Sequence, residues 1–150
     1  MQLNIKKIFL LFFLFFLTNY CFAKEEFVML KKDKVNVRYG PNFESDIKYV
    51  YKKINLPLKQ IDKKENFRRI IDFKKNSGWI HISQLKRVNS VIVIENKILF
   101  KKSSIFSEPI ANIQKGRLLV IKKCEENWCK VKTEEREGWI ENTHIWGDIN

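Results

Sequence analysis

Polar and apolar residues alternate along Lys34-Val35-Asn36-Val37-Arg38, and a period of two puts Val35 and Val37 on one face of an extended strand. Tyr39-Gly40-Pro41-Asn42 follows as a turn signal. Further strands are predicted over 47–54 (IKYVYKKI), 56–61 (LPLKQI), 67–72 (FRRIID) and 78–82 (GWIHI). A second series is predicted over 91–94, 98–100, 110–113, 118–121, 128–131 and 138–140. No stretch carries a helical apolar period with caps at both ends. Short strands with turn signals roughly every 8–12 residues predict an all-β chain built as a small barrel or sandwich.

The pattern is written twice. Glu65-Asn66-Phe67-Arg68-Arg69-Ile70 is matched by Glu126-Asn127-Trp128-Cys129-Lys130-Val131 at an offset of 61. Gly78-Trp79-Ile80 is matched by Gly138-Trp139-Ile140 at an offset of 60, and Leu85 then corresponds to Ile145. Two matches in register, slipped by one residue at a turn, predict two copies of one unit. A unit of about 60 residues is near the lower limit for an independent core, a limit that packing two units together relieves.

The N-terminus changes what counts as the working chain. Lys6 and Lys7 precede an unbroken apolar run over 8–17, long enough for the core of an export signal. It is too short for a transmembrane helix, which needs about 20 residues. Cys21 and Ala23 offer small residues before a cleavage site, so residues 1–23 read as a signal peptide and Lys24 as the mature start; an uncleaved anchor is the rival reading. No other apolar run is long enough to span a bilayer. Removal of Lys6 and Lys7 lowers the formal net charge from +12 to +10. The lysines are scattered rather than clustered, which favours a solvated surface over a polyanion site, and export argues against nucleic acid as partner. A charge-driven polyanion binder remains the alternative, with affinity that collapses in salt. Cys124 and Cys129 remain after cleavage, spaced C-x-x-x-x-C. An even count in an exported chain predicts a disulfide, here across a hairpin; no C-x-x-C redox motif is present.

Val35-Asn36-Val37-Arg38-Tyr39-Gly40-Pro41-Asn42 resembles the opening segment of bacterial SH3-like domains, and Gly78-Trp79-Ile80 and Gly138-Trp139-Ile140 resemble their closing strand. Cys124…Trp128-Cys129 and Ile145-Trp146-Gly147 are similar to the second copy of the exported two-domain type. The resemblance implies two tandem small SH3-like β-barrels, over 27–88 and 91–149, behind the signal segment. It implies a place outside the cytoplasm, in the periplasm or envelope, and binding to the cell wall or to protein. The second copy departs at Phe100-Lys101-Lys102-Ser103-Ser104, which has neither Asn-Val-Arg nor Gly-Pro.

Catalysis finds no support in the residues. His81 alternates with apolar neighbours and is expected on an outer strand face; His144 stands at the repeat position of Gln84. Ser83 is near His81 in sequence, but no triad spacing, zinc ligand set, phosphate loop or cofactor motif is present. Paired carboxylates such as Glu125-Glu126 and Glu134-Glu135 fall in predicted turns. Binding is the better expectation, through an aromatic groove in the first copy made of Tyr39, Phe43, Tyr49, Tyr51 and Trp79 with Arg38 as donor. Phe67 and Trp128 are expected in the cores. Trp79 suits barrel building as well as ligand contact, and Arg38 suits a cross-barrel ion pair as well as a ligand. The expected partner is peptidoglycan or a wall-associated envelope protein, with a scaffolding adaptor that never touches the wall as the alternative.

Overall fold

Period-two alternation is realised as strands throughout the computed structural model, which describes residues 26–149; the export-signal reading of residues 1–23 lies outside them. The first unit contains β1 (Glu26–Leu30), β2 (Val35–Arg38), β3 (Ile47–Tyr51), β4 (Pro57–Lys64), β5 (Phe67–Ile71), β6 (Ser77–His81) and β7 (Leu85–Arg87), with one 3-10 turn at Ile82–Gln84. The second contains β8 (Ser90–Val93), β9 (Lys97–Phe100), β10 (Pro109–Ile113), β11 (Leu118–Glu125), β12 (Trp128–Lys132), β13 (Glu137–Glu141) and β14 (Ile145–Trp146). Glu26–Leu30 and Leu85–Arg87 are strands that alternation does not reveal. β1 is a nearly continuous apolar run paired on both edges, to β4 and β7. β7 is too short to show a period.

Each unit is one seven-stranded antiparallel sheet. The orders are β3-β2-β6-β5-β4-β1-β7 and β10-β9-β13-β12-β11-β8-β14, identical once seven is added to each strand number. Finer features repeat too. The hairpin turns at Glu65 and Glu126 both adopt φ 48°. The ladder slips between Gln60 and Asp62 in the first unit and between Ile121 and Lys123 in the second, one bulge in each long strand. Leu30, Val35, Val37, Leu58, Ile70 and Ile80, from five strands of the first sheet, meet in a single buried cluster. A sheet whose inward side chains from so many strands converge has to curl around them. Val93, Leu99, Leu119, Val131 and Ile140 form the matching cluster.

The two units share a seam. β8 is buried on both faces: Val91 and Val93 enter the second core, and Ile92 enters the first. Leu118 and Trp146 pack against that first core as well. Phe27 meets the Trp146 ring edge-on at 5.3 Å, and the Ser90 hydroxyl donates to the Asn55 carbonyl at 2.6 Å. Only Val88 and Asn89 separate β7 from β8, so the connection is short and both its flanks are paired.

The glycine of each Gly-Trp-Ile segment has a steric reason. A β-carbon on Gly138 would lie 2.7 Å from the Phe100 carbonyl oxygen and 2.8 Å from Leu99 Cγ, and one on Gly78 would collide with Val37. β6 and β13 can approach β2 and β9 only where no side chain intervenes. Gly138→Ala is therefore expected to lower stability by about 1–3 kcal/mol through overpacking. The check is the urea midpoint at constant slope, and a loss below about 0.5 kcal/mol would show that the strands are not held this close.

Candidate functional site

Strand phase decides which side chains face outward. In β2, Val35 and Val37 are buried, so Asn36 and Arg38 point away from the core. Arg38 pairs with Trp79 of β6, and Phe67 of β5 pairs with His81 of β6. Gly78 and Ile80 are buried, so Trp79 and His81 share the outer face. The β2–β3 loop then folds back over this face. Arg38 Nη1 donates to the carbonyls of Phe43 at 2.9 Å and Ser45 at 2.7 Å, and Asn42 Oδ1 accepts from the backbone N–H of Ser45 at 2.6 Å. Phe43 is thereby held against the strands while 60% exposed. Its ring centroid is 5.2 Å from Phe67 and 5.0 Å from His81, and Phe67 and His81 are 5.1 Å apart.

These three rings form one wall of an open cleft of about 210 Å³, completed by Lys34, Asn36, Arg38 and Gln84. The cleft is rich in donors. Ser83 N–H can only donate, and it donates to His81 Nδ1 at 3.3 Å, so a neutral His81 carries its proton on Nε2. The Ser83 hydroxyl lies 2.8 Å from the same Nδ1. Because one ring nitrogen serves both groups, this contact caps the 3-10 turn. Arg38 retains guanidinium N–H groups beyond those on Nη1, and Lys34 adds an ammonium. Donors beside flat rings suit an acceptor-bearing ligand with a face to stack, such as a peptide carbonyl or carboxylate, or a sugar.

Arg38 and Phe43, of the six residues expected to bind ligand, line the cleft. Tyr39 is on the surface with the Lys48 ammonium 5.5 Å from its ring centroid, outside the cleft. Trp79 is neither in the core nor in the cleft: it lies half-buried on the outer face, one register row away, between Arg38 and Arg69. Trp139 repeats that position under the Lys123 ammonium, 5.2 Å from its ring centroid.

Tyr49 and Tyr51 do share one face of β3, but it is the inward face of their register partners Val37 and Val35, so both pack against the core. The Tyr51 hydroxyl donates to Asp72 Oδ2 at 3.0 Å, which leaves Tyr49 to donate to Tyr51 at 3.3 Å. Asp72, buried, also accepts from Asn76 Nδ2 and from the backbone N–H groups of Lys74 and Asn76. Burial pushes the Tyr51 phenol far above its ordinary value, with Tyr49 and Asp72 adding to the effect. Burial raises Tyr49 as well.

Sequence reasoning did not place Phe67 and His81 in the cleft. Phe67 is buried as expected, yet it is covered by Phe43 and His81 on the outer side. The available signal was its phase, opposite to that of Ile70 on the same strand. Trp128, at the repeat position, is only half-buried, against Phe100 at 5.7 Å. The Cys124–Cys129 bridge joins directly opposed residues of β11 and β12. Lys63 and Arg68 face each other at the same place in the first unit. Among the described residues no cluster of three or more metal-ligating side chains occurs, and no helix is long and apolar enough to cross a membrane.

The family model described as bacterial SH3 domain matches residues 31–86 and again residues 101–147. No curated protein matches the chain significantly. Among solved structures, NlpC2 from Trichomonas vaginalis aligns over 83% of this chain and 48% of its own at 10% identity, with a TM-score of 0.39. NlpC1 from the same organism aligns over 83% and 46% at 9% identity, with a TM-score of 0.37. The chain thus spans about half the length of each, and overlaps this slight carry no functional weight.

The tyrosine network has a pH signature. The folded state holds both phenols protonated, so stability is full below their ordinary value of 10 and declines as pH rises past it, where the unfolded chain releases protons first. Tyr51→Phe should flatten that alkaline decline and cost about 1–2 kcal/mol at pH 7, by taking a donor from buried Asp72. Denaturation midpoints between pH 7 and pH 11 read both effects; an unchanged alkaline limb would refute the network.

Proposed function

The chain belongs to the bacterial SH3 domain family, and from that premise we propose that it is a non-enzymatic binding module of the bacterial cell envelope. Its two SH3-like barrels act as one body, and the first docks peptidoglycan or a wall-associated peptide through the cleft beneath Phe43. The observation that carries this reading is the cleft itself: three rings in mutual edge and tilted contact beside Arg38, Lys34 and the His81 Nε2–H, on an open outer face. A volume near 210 Å³ is below the range of about 300–1,000 Å³ usual for whole small-molecule sites. It suits one residue or one sugar ring of a longer polymer.

Location fits the same reading. A hairpin disulfide forms and persists in oxidising compartments, and residues 1–23 have the pattern of an export signal. The donors face the carboxylates and carbonyls of a peptide stem, and the rings face the apolar side of a sugar.

The test is cosedimentation of the folded chain with isolated sacculi at low and moderate salt. Phe43→Ala, at an exposed loop position, should weaken binding about five-fold, the equivalent of about 1 kcal/mol of ring contact. Tyr51→Phe should leave binding unchanged, because its hydroxyl serves Asp72 and not the cleft. Absence of wild-type protein from the pellet at low salt rules out the wall. A single dominant protein captured by crosslinking in cells would then favour an adaptor.

A further inference from the structure

The second unit has a cleft at the same place with different chemistry. Register fixes the equivalence. Trp79 pairs with Arg38 and Trp139 pairs with Phe100, so Phe100 stands where Arg38 stands. Two residues earlier, Ile98 takes the place of Asn36; five later, Ile105 takes that of Phe43. Glu141 pairs with Trp128 as His81 pairs with Phe67. These substitutes, with Glu95, Asn96 and Lys97, line an open cleft of about 240 Å³. At three matched positions an outward donor has been replaced by an apolar or acidic residue: Arg38 by Phe100, Asn36 by Ile98 and His81 by Glu141.

The charges inside it are partly spoken for. Lys97 occupies an inward position with its side chain only 6% exposed, and its ammonium lies 3.5 Å from Glu95. His144 Nδ1 reaches the same Glu95 oxygen at 2.8 Å from the neighbouring turn. Glu141 is exposed and has no ion-pair partner among the described residues. Two carboxylates against one ammonium leave this cleft locally negative on a chain whose net charge is +12. Around it the apolar side chains are unusually open: Ile98 is 45% exposed, Ile105 59%, and the adjacent Phe106 93%.

We propose that this second cleft binds a basic, apolar peptide segment, one whose lysine or arginine side chain is flanked by apolar residues. The cation pairs with Glu141, and the flanking side chains cover Ile98, Ile105 and Phe106. An apolar patch of this kind needs a cover, and the carboxylate selects it by charge. The chain's general positive field repels cations elsewhere, which confines such a ligand to this face. The site is independent of the first cleft, so it stands or falls apart from the wall-binding reading.

The test uses the folded protein and three synthetic peptides, acetyl-Ala-Leu-Lys-Phe-Ala-amide and its norleucine and glutamate replacements at lysine. Amide chemical shifts of Ile105, Phe106 and Glu141 report binding. The lysine peptide should bind about three- to five-fold more tightly than the norleucine peptide, as expected for a partly exposed ion pair. Glu141→Gln should erase that preference while norleucine binding persists, and Ile105→Ala should weaken both. Equal affinity of the lysine and norleucine peptides, stronger binding of the glutamate peptide, or shifts confined to Phe43 and His81 would overturn the proposal. So would absence of any shift. Self-association of the chain that Phe106→Ala abolishes and the lysine peptide leaves untouched would assign the patch to a second copy instead.

Discussion

The close crossing of β6 over β2, repeated by β13 over β9, is the constraint on which the rest of the structure depends. It is held by one register pair in each unit, Arg38 with Trp79 and Phe100 with Trp139, and it is possible only because Gly78 and Gly138 carry no side chain. Val37 and Leu99 then seal the cores beneath the glycines. Once the crossing is set, period two assigns every neighbour. Asn36, Phe67 and His81 fall into one outward row, and Arg38, Arg69 and Trp79 into the next. The cleft is this outward face, roofed by a loop that Arg38 ties down.

The repeat was legible because it is made of local signals. Glu-Asn before an aromatic marks the hairpin, and Gly-Trp-Ile marks the crossing strand. The one-residue slip between the two offsets also has a location. β5 and β6 are joined by five residues organised around buried Asp72, with Lys75 at φ 70°. β12 and β13 are joined by four, organised by the Thr133 hydroxyl, which accepts from the N–H groups of Glu135 and Arg136. Two different caps close the same hairpin, so sequence identity is lost there while topology is kept.

The cleft residues were less legible, for a reason visible in β3. Tyr49 and Tyr51 alternate as a strand face should, but alternation alone does not say which face is inside. That is set by the partners across the ladder, Val35 and Val37, whose phase is unambiguous. Aromatics with a hydroxyl suit a ligand surface and a barrel end equally well, and Asp72 decides the matter by giving the hydroxyl of Tyr51 a buried acceptor. Phe67 misleads in the opposite direction. Its burial comes from Phe43 and His81 across the cleft, so a ring that reads as core lines the cleft.

Net charge, the most prominent number in the composition, explains little of this. The lysines are spread over solvated strand faces and turns, while the two clefts differ in sign through a few positions. Arg38, Asn36 and His81 became Phe100, Ile98 and Glu141 without altering the backbone that presents them, because outward positions are free of the packing that fixes Val37, Leu99, Ile80 and Ile140. The seam through Ile92, Leu118 and Trp146 holds the altered copy against the first. Duplication with a packed seam gives the chain two clefts of unlike chemistry, and the divergence lies where the fold leaves residues free to change.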